Sequence, residues 1–221
     1  AREPLQQILG WEEFRGLRLR VSPDVLVPRP ETEMLVEWAL ALLPPPAARR
    51  LTVADVGTGS GCIACAIAGA RADVDVVALD LSAAAARVAG ANARALGSRV
   101  RVVIGDLVAT LRDASLDALI ANPPYLTDSE AAGLAPEVAR HEPPLALVGG
   151  RDGLRVLARL VDEAPRVLRA GGVIALETGG PAHVATLTAR LRDRGFADVA
   201  ARADLAGVVR FVAGRRPERA R

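Results

Sequence analysis

From residue 51 onward, strand-length apolar runs alternate with longer amphipathic segments. The pattern predicts strands at 51–56, 74–79, 100–104, 115–121, 173–177, near 199 and at 208–213. It predicts helices at 62–70, 82–96, around 108, at 154–168 and at 182–194, with Ser82 as a helix cap and Gly171-Gly172 as a stop before a strand. Repeated strand–helix units with continuously apolar strands indicate a doubly wound α/β fold, with a mostly parallel sheet covered on both faces. No helix separates the last two strands, so we expect them to pair as an antiparallel hairpin.

The first fifty residues follow a different pattern. Residues 11–27 predict a short β-ribbon around Gly16, and 34–43 predict an amphipathic helix that ends at Pro44-Pro45-Pro46. This triple proline is the clearest boundary in the chain. We therefore predict an N-terminal segment over 1–46, a catalytic domain over 47–214 and a basic tail over 215–221.

Composition narrows the class of protein. With 51% hydrophobic and 3% aromatic residues among 221, the chain can bury a large aliphatic core. No apolar run reaches the ~18 residues that a membrane helix needs, and the N-terminus does not resemble a signal peptide. We expect a soluble, cytoplasmic protein.

Charge argues against a broad nucleic-acid surface. The net charge is +2, and the last seven residues contain four arginines and one glutamate, which leaves about −1 on the rest of the chain. We expect the tail to be frayed and solvated.

The two cysteines form the motif Cys62-x-x-Cys65. A redox pair is one interpretation, but the motif opens an apolar helix without a neighbouring tryptophan or proline. We predict two buried core thiols. His141 and His183 lie far apart in sequence, and we expect no metal site.

A glycine-rich turn joins the first predicted strand of the sheet to the first helix after it; it consists of Gly57, Thr58, Gly59, Ser60 and Gly61. Such a turn lets a ligand approach the backbone at the carboxyl end of a parallel strand, although it is also found as a plain βα turn. Its G-x-G-x-G spacing differs from the G-x-G-x-x-G that binds a pyrophosphate.

Two acidic residues follow the next two strands. Asp80 is placed to bind a ribose diol, with a helix-capping role as the alternative, and Asp106 with Leu107 is placed to bind an adenine ring. A glycine loop, a ribose acid and an adenine acid together favour an adenosine ligand without a diphosphate, namely S-adenosylmethionine.

The tetrad Asn122-Pro123-Pro124-Tyr125 follows the fourth strand. Each proline restricts the backbone and removes an N–H donor, so the Asn122 amide is held at the rim of the sheet. Such a site can accept two hydrogen bonds from a planar –NH2 group beside the reactive methyl, with Tyr125 stacked on it. The alternative is an ordinary proline turn with a solvated asparagine.

These motifs resemble the protein-(glutamine N5) methyltransferases that modify peptide-chain release factors, the HemK/PrmC family. The resemblance extends from Pro4 to about Arg215 and is carried by Val27-Pro28-Arg29-Pro30-Glu31-Thr32-Glu33, Asp55–Gly61, Asp80 and Asn122–Tyr125. It continues in Glu142-Pro143, Ala146-Leu147, Gly149-Gly150 with Asp152-Gly153-Leu154, and Gly171-Gly172 with Leu176-Glu177.

The resemblance implies a class I methyltransferase with a seven-stranded sheet and a reversed last strand. It implies that Gly57–Gly61 line the methionine end of S-adenosylmethionine, that Asp80 holds the ribose, and that Asp106 and Leu107 hold the adenine. Asn122, Pro123, Pro124 and Tyr125 would bind the glutamine amide of a release factor, with catalysis by Asn122, Pro123 and Tyr125 and with Asn122 also beside the cofactor.

The segment Pro28, Arg29, Pro30, Glu31 and Thr32 is predicted to form a wall of the substrate channel, with a proline-rich helix cap as the alternative. Arg29 would bind a carbonyl or carboxylate of the incoming loop, and Glu142 is interpreted as a surface charge. Members of the family usually have a small helical domain before the catalytic one, whereas this sequence starts close to the connecting segment. Either the sequence is a piece of a longer chain or this member lacks that domain, and both alternatives stay open.

Two other functions stay open at this point. An adenine-N6 methyltransferase acting on DNA or RNA would use the same tetrad on a nucleobase amine. An inactive cofactor-binding module would keep the fold without turnover. The sequence alone does not distinguish a release factor from a ribosomal protein as the target; we expect a release factor as partner, no direct nucleic-acid binding, no membrane and a monomer.

Overall fold

The computed structural model describes residues 2–46 and 48–218. The N-terminal part contains helix α1 (Leu5–Leu9), the antiparallel strands β1 (Trp11–Phe14) and β2 (Leu17–Arg20), and helix α2 (Pro30–Leu42). The ribbon and α2 were both predicted. Helix α2 begins four residues before its predicted start, because Pro30 supplies the fixed φ and the missing donor that suit a first helical turn.

The remainder alternates strands and helices. In chain order these are β3 (Leu51–Val56), α3 (Cys62–Ala70), β4 (Val74–Asp80), α4 (Ala83–Ala95), β5 (Val100–Ile104), β6 (Leu116–Ala121), β7 (Leu126–Thr127), α5 (Asp128–Ala132), α6 (Pro136–His141), α7 (Pro144–Leu147), β8 (Val148–Gly150), α8 (Arg155–Val167), β9 (Leu168–Glu177), α9 (Pro181–Asp193), β10 (Ala197–Ala203) and β11 (Val209–Arg215). Ser82 caps α4 as predicted, since its hydroxyl accepts the Ala85 N–H at 3.2 Å.

The main sheet has seven strands in the order β10-β11-β9-β6-β3-β4-β5. Strand β11 runs antiparallel to both of its neighbours, β10 and β9, and the other strand pairs of this sheet are parallel, which confirms the predicted fold class and the terminal hairpin. The strand order reverses at β3, because the chain crosses first to β4 and β5 and later to β6 on the other side. The carboxyl ends of β3 and β6 therefore flank the crevice where doubly wound sheets bind ligands.

Helices cover both faces of this sheet. Val53 and Ile120 pack in a layer with α2 and α3, whereas their neighbours Ala54 and Leu119 pack in a layer with α8 and α9. Phe14 of the ribbon belongs to the first layer and is 1% exposed. The N-terminal segment thus shares a core with the sheet; the domain division at residue 46 stays a prediction.

Three local predictions were wrong. Residues 107–110 form a turn and no helix, because Leu107 takes φ 49°, which a right-handed helix excludes. Gly171-Gly172 lies inside β9, which already begins at Leu168. Arg216 is not frayed either: its N–H donates to the Gly172 carbonyl at 2.7 Å, and Arg215 donates to the Gly171 carbonyl at 2.7 Å. Residues 219–221 of the predicted tail lie outside the described residues.

The predicted long loop after the tetrad also has structure. Strand β7 pairs in parallel with β8, and the short helices α5, α6 and α7 lie between them in sequence. In the described residues, no helix is long and apolar enough to cross a membrane.

Candidate active site

A cavity of about 340 Å³ opens at the carboxyl ends of β3, β4, β5 and β6. Most of the residues predicted to bind a ligand line it, namely Gly57, Thr58, Gly59, Ser60, Asp80, Asp106, Leu107, Asn122, Pro123, Pro124, Pro28, Arg29 and Thr32. Because parallel strands end at one edge of a sheet, their loops converge here from separate parts of the chain.

Asp55, the buried carboxylate of β3, holds the glycine loop in place by hydrogen bonds. Its Oδ2 accepts the Thr58 hydroxyl at 2.5 Å and the Ala64 N–H at 3.0 Å. Its Oδ1 has no hydrogen-bond partner among the described residues, and burial raises the pKa of Asp55 to about 7. Asp55 therefore joins the loop to the first turn of α3, at the cost of a buried carboxyl group.

The loop leaves room for a ligand. Gly57 and Gly59 have φ of 73° and 53°, and a Cβ on either would meet no atom of the described chain within 4 Å. Gly61, predicted to contact the cofactor, does not line the cavity; a Cβ there would lie 3.2 Å from Ala89. Its place at the start of α3 allows that helix to approach α4.

Asp80 connects the second strand end to the glycine loop. Its Oδ2 accepts the Gly59 N–H at 2.9 Å and its Oδ1 accepts the Ser82 N–H at 2.8 Å. Burial raises the pKa of Asp80, although these N–H groups oppose the shift. Each carboxylate oxygen has a second lone pair, so Asp80 can still accept two hydroxyl groups from a ligand.

Asp106 is exposed and forms an ion pair that sequence reasoning missed. Arg159 of α8 donates to both of its oxygens, at 3.2 and 2.9 Å. Leu107 beside it holds an unfavourable positive φ, which turns this segment toward the cavity. An adenine amino group would have to share Asp106 with Arg159.

The tetrad separates the first cavity from a second one of about 180 Å³. Leu26, Arg29, Asn122, Pro123 and Ala146 line both cavities. The second cavity is otherwise lined by Tyr125, Leu126, Leu134, Val138 and Leu147. Two adjoining spaces therefore meet at Asn122 and Pro123.

The Asn122 amide is oriented by hydrogen bonds. Its Nδ2 donates to the Thr32 hydroxyl oxygen at 3.0 Å, and the Thr32 hydroxyl donates to Glu177 Oε2 at 2.8 Å. Glu177 is 1% exposed, and burial raises its pKa to about 7. With Nδ2 engaged, the Asn122 Oδ1 is the amide atom left to accept a hydrogen bond from a ligand.

Tyr125 lies on the side of the second cavity. Burial, together with the charge of Glu177, raises its pKa to about 12, so the ring stays neutral. A Cβ on Gly179 would come within 3.2 Å of the Tyr125 ring, which shows how closely the turn after β9 packs on it. Glu31 lines neither cavity.

Glu142 is not the surface charge that the sequence suggested. Its side chain is 1% exposed, and its two oxygens bind Arg29 Nη2 at 2.8 and 2.7 Å. It also accepts the Val27 N–H at 3.4 Å. Arg29 is therefore held by Glu142, so its predicted role of binding an incoming loop would have to use its other donors.

The glycines of the segment 149–153 pack on the tetrad backbone. A Cβ on Gly149 would lie 2.5 Å from the Gly153 carbonyl oxygen and 2.7 Å from that of Pro124. A Cβ on Gly153 would overlap the Tyr125 carbonyl oxygen. Only glycine permits this approach, which explains the G-G-x-D-G spacing.

Sequence reasoning missed the roles of Asp55, Glu142, Glu177 and Arg159. For Glu177 a signal existed, since it ends an apolar strand in the same way as Asp80. Glu142 and Arg159 gave no such signal, because their ion-pair partners, Arg29 and Asp106, are distant in sequence. Cys62 and Cys65 are buried free thiols, as predicted, and burial raises the pKa of Cys62 to about 12.

The chain is similar to known methyltransferases in sequence. The family model described as a methyltransferase small domain matches residues 32–141. A release factor glutamine methyltransferase of Geobacter sulfurreducens is 42% identical over 97% of this chain and 74% of its own length. One from Bordetella pertussis is 45% identical over 97% of this chain and 78% of its own.

A solved structure leads to the same family. The release factor-specific protein-(glutamine-N5) methyltransferase of Alicyclobacillus acidocaldarius is 32% identical, with a TM-score of 0.54 over 90% of this chain and 99% of that one. Further relatives at 41–44% identity, each aligned over at least 80% of this chain, have the same description. The chain belongs to the family of release factor glutamine methyltransferases.

Proposed function

We propose that this chain transfers the methyl group of S-adenosylmethionine to the side-chain amide nitrogen of a glutamine in a peptide-chain release factor. Two things support the assignment: membership of the family, and a cavity pair that meets at a hydrogen-bonding group suited to an amide. The proposed site residues are those predicted from the sequence, with Gly61 and Glu31 in supporting positions outside the cavity lining.

The cofactor would lie in the larger cavity. When bound, S-adenosylmethionine supplies an electrophilic methyl group on a sulfonium and leaves as S-adenosylhomocysteine. Asp80 would accept from the ribose hydroxyls, the open space at Gly57 and Gly59 would admit the methionine portion, and Leu107 with Asp106 would face the adenine.

The single observation that carries the proposal is the junction at Asn122 and Pro123. These residues line both the cofactor-sized cavity and the smaller one beside Tyr125. A glutamine side chain that enters the smaller cavity would bring its amide to the junction. That position faces the larger cavity, in which the methyl donor would lie.

The chain's own residues would overcome the poor nucleophilicity of the amide. Asn122 Oδ1 and the Pro123 carbonyl would accept the two amide hydrogens, which pushes electron density toward nitrogen and fixes its direction of attack. Holding two reactants in attack geometry contributes about 7–11 kcal/mol in favourable cases. Tyr125, neutral and largely buried, would pack on the amide plane and exclude water. As the N–C bond forms, the C–S bond would break and S-adenosylhomocysteine would leave; the proton on the methylated nitrogen becomes acidic and would be lost to solvent as the product leaves, so no strong base is needed.

One experiment tests the assignment. The chain is incubated with labelled S-adenosylmethionine and, separately, with release factor, ribosomal proteins, and DNA and RNA oligonucleotides, and the methyl is mapped by mass spectrometry. Label on a release factor glutamine is the expected result.

Other outcomes would contradict it. Label on an adenine alone would support the nucleic-acid methyltransferase, and label on a ribosomal protein alone would change the substrate. Cofactor binding without transfer to any of these substrates would support the inactive module.

A further inference from the structure

Glu177 is a buried carboxylate for which the proposed reaction has no direct use. It ends β9, is 1% exposed, and receives the Thr32 hydroxyl at 2.8 Å. Thr32 is itself 2% exposed, and its oxygen receives the Asn122 Nδ2–H at 3.0 Å. A buried charged or polar group is costly unless it is paired, so this arrangement calls for an explanation.

The direction of these hydrogen bonds follows from the donors available. A hydroxyl has one hydrogen, and Thr32 gives it to Glu177, so the Thr32 oxygen can only accept from Asn122. Of the two ends of the Asn122 amide, only Nδ2 can donate. The nitrogen must therefore face Thr32, and Oδ1 must face away from it.

We propose that Glu177 is a positioning residue that acts through Thr32 to hold the Asn122 amide with its oxygen toward the substrate. This inference rests on the proposed function, because it assigns Asn122 Oδ1 the task of accepting a substrate amide hydrogen. It gives Thr32 a different role from the predicted one of a channel wall.

Protonation of Glu177 would reverse the chain of hydrogen bonds. A protonated Glu177 donates to the Thr32 oxygen, and the Thr32 hydrogen then turns to Asn122 and favours an amide with Oδ1 toward Thr32. The charged and titratable groups that face Glu177 are Arg210 of β11, Glu31 of α2 and Tyr125. Burial outweighs Arg210 and raises the pKa of Glu177 to about 7, so both states are accessible near neutral pH.

Substitutions at Thr32 test the mechanism by kinetics. Thr32→Val removes the hydroxyl at nearly constant volume, and we expect kcat for methyl transfer to fall about 10- to 100-fold with the cofactor KM unchanged. Thr32→Ser keeps the hydroxyl and should restore most of the turnover. Thr52→Val, at the opposite end of β3, is the matched control and should behave as wild type.

The pH profile separates positioning from simple structural support. Wild-type kcat should rise as pH increases through about 7, because Glu177 must be ionised to accept from Thr32. Glu177→Gln cannot titrate, so this rise should disappear from its profile. A Glu177→Gln profile with the same rise as wild type would overturn the proposal.

Nuclear magnetic resonance provides a test that needs no substrate. The chain has two asparagines, Asn92 and Asn122, so labelling asparagine with 15N gives two side-chain amide signals. Asn92 Nδ2 donates to the Arg20 and Ser60 carbonyls at 2.9 and 2.8 Å and is an internal reference. We expect the Asn122 signals to shift between pH 5 and 9 and the Asn92 signals to stay constant.

The outcomes distinguish this inference from the proposed function. If wild type methylates none of the candidate substrates, the proposed function fails. The Asn122 amide signals would still report the hydrogen bonds that join Glu177 through Thr32 to Asn122, which we call the relay. Asn122 signals that are insensitive to pH, or a folded Thr32→Val variant with full kcat, would overturn the relay itself. Should Thr32→Val fail to fold, the pH titration of the Asn122 signals in wild type and the pH profile of Glu177→Gln test the relay in its place.

Discussion

The two halves of the site are built in different ways. The cofactor half is formed by the glycine loop, Asp55 and Asp80, and its hydrogen bonds join residues close in sequence. The two partners of Asp55 are 3 and 9 residues away from it, and the two partners of Asp80 are 2 and 21 residues away. In the amide half, formed by Asn122–Tyr125 and its supports, the partners are remote. Asn122 and Thr32 are 90 residues apart, Arg29 and Glu142 113, and Thr32 and Glu177 145.

This difference has a functional consequence. The cofactor half is produced by the ends of the adjacent parallel strands β3 and β4 and the loops that follow them. The amide half needs α2, the tetrad, the segment 142–153 and the end of β9 to come together. We therefore expect damage to the cofactor half to act on ligand affinity, and damage to the amide half to act on turnover.

The largest expected effect is at the centre of the amide half. Asn122→Ala removes the acceptor for the substrate amide, and we expect kcat to fall about 100- to 1,000-fold, the range seen when one preorganised hydrogen-bonding group is removed. Cofactor affinity, measured by calorimetry, should change little. Full turnover in a variant that binds cofactor normally would remove Asn122 from catalysis.

Gly149→Ala tests the support of the amide half. The new Cβ would meet the backbone carbonyls of Gly153 and Pro124 at 2.5 and 2.7 Å, so something must shift, and we expect a loss of about 3 kcal/mol in the free energy of unfolding together with lower kcat. Gly69→Ala is the matched control. It lies in α3 with no atom within 4 Å of a Cβ, and should raise stability by about 0.5–1 kcal/mol. Equal effects of the two substitutions would refute the packing argument.

Asp55 tests the cofactor half through the pH dependence of stability. Its pKa rises from 3.8 to about 7 on folding, so between these values the native state holds a proton that the unfolded state has lost. Stability from this group therefore falls as pH rises through that window and is flat above it. The free energy of unfolding of wild type should fall between pH 5 and pH 8, and Asp55→Asn should make that fall smaller by roughly 2 kcal/mol, as measured by urea unfolding without cofactor. Parallel pH curves for variant and wild type would contradict the assignment.

The smallest expected effect is at Asp80. Asp80→Asn weakens the acceptor for the ribose hydroxyls and for the Gly59 N–H, and we expect the Kd for cofactor to rise about 10-fold. At saturating cofactor, kcat should stay near the wild-type value. A fall in kcat without a change in Kd would show that the two halves cannot be separated in this way.

Much of the cofactor half could be predicted from the sequence. Apolar strands followed by Gly57–Gly61 and Asp80 predict a ligand site at the switch point, because parallel strands bring their carboxyl ends to one edge. The cofactor roles of Gly61 and Asp106 stay predictions; the sequence did not show that Gly61 packs against α4 or that Arg159 binds Asp106. Both contacts depend on which helix covers that edge of the sheet, and the periodicity of the strands does not predict which helix that is.

The motifs of the amide half were predicted, but the hydrogen bonds that join them were not. Asn122 was predicted to lie beside the reactive methyl, and it lines the larger cavity, but Glu142 was taken for a surface charge and Glu177 had no role. A carboxylate on a loop is usually exposed, and only packing against Arg29 and the Val27 N–H makes Glu142 a buried partner.

The sequence by itself determined the fold class, the order along the chain of the seven strands of the main sheet, the glycine loop and the tetrad, since these follow from local periodicity and from the conformational limits of glycine and proline. The tertiary structure alone decided which way the Asn122 amide faces and which groups hold it there. The physical reason is that a hydrogen bond depends on distance and direction between two atoms. For Asn122, Thr32 and Glu177, those quantities exist only after α2 and β9 have packed together.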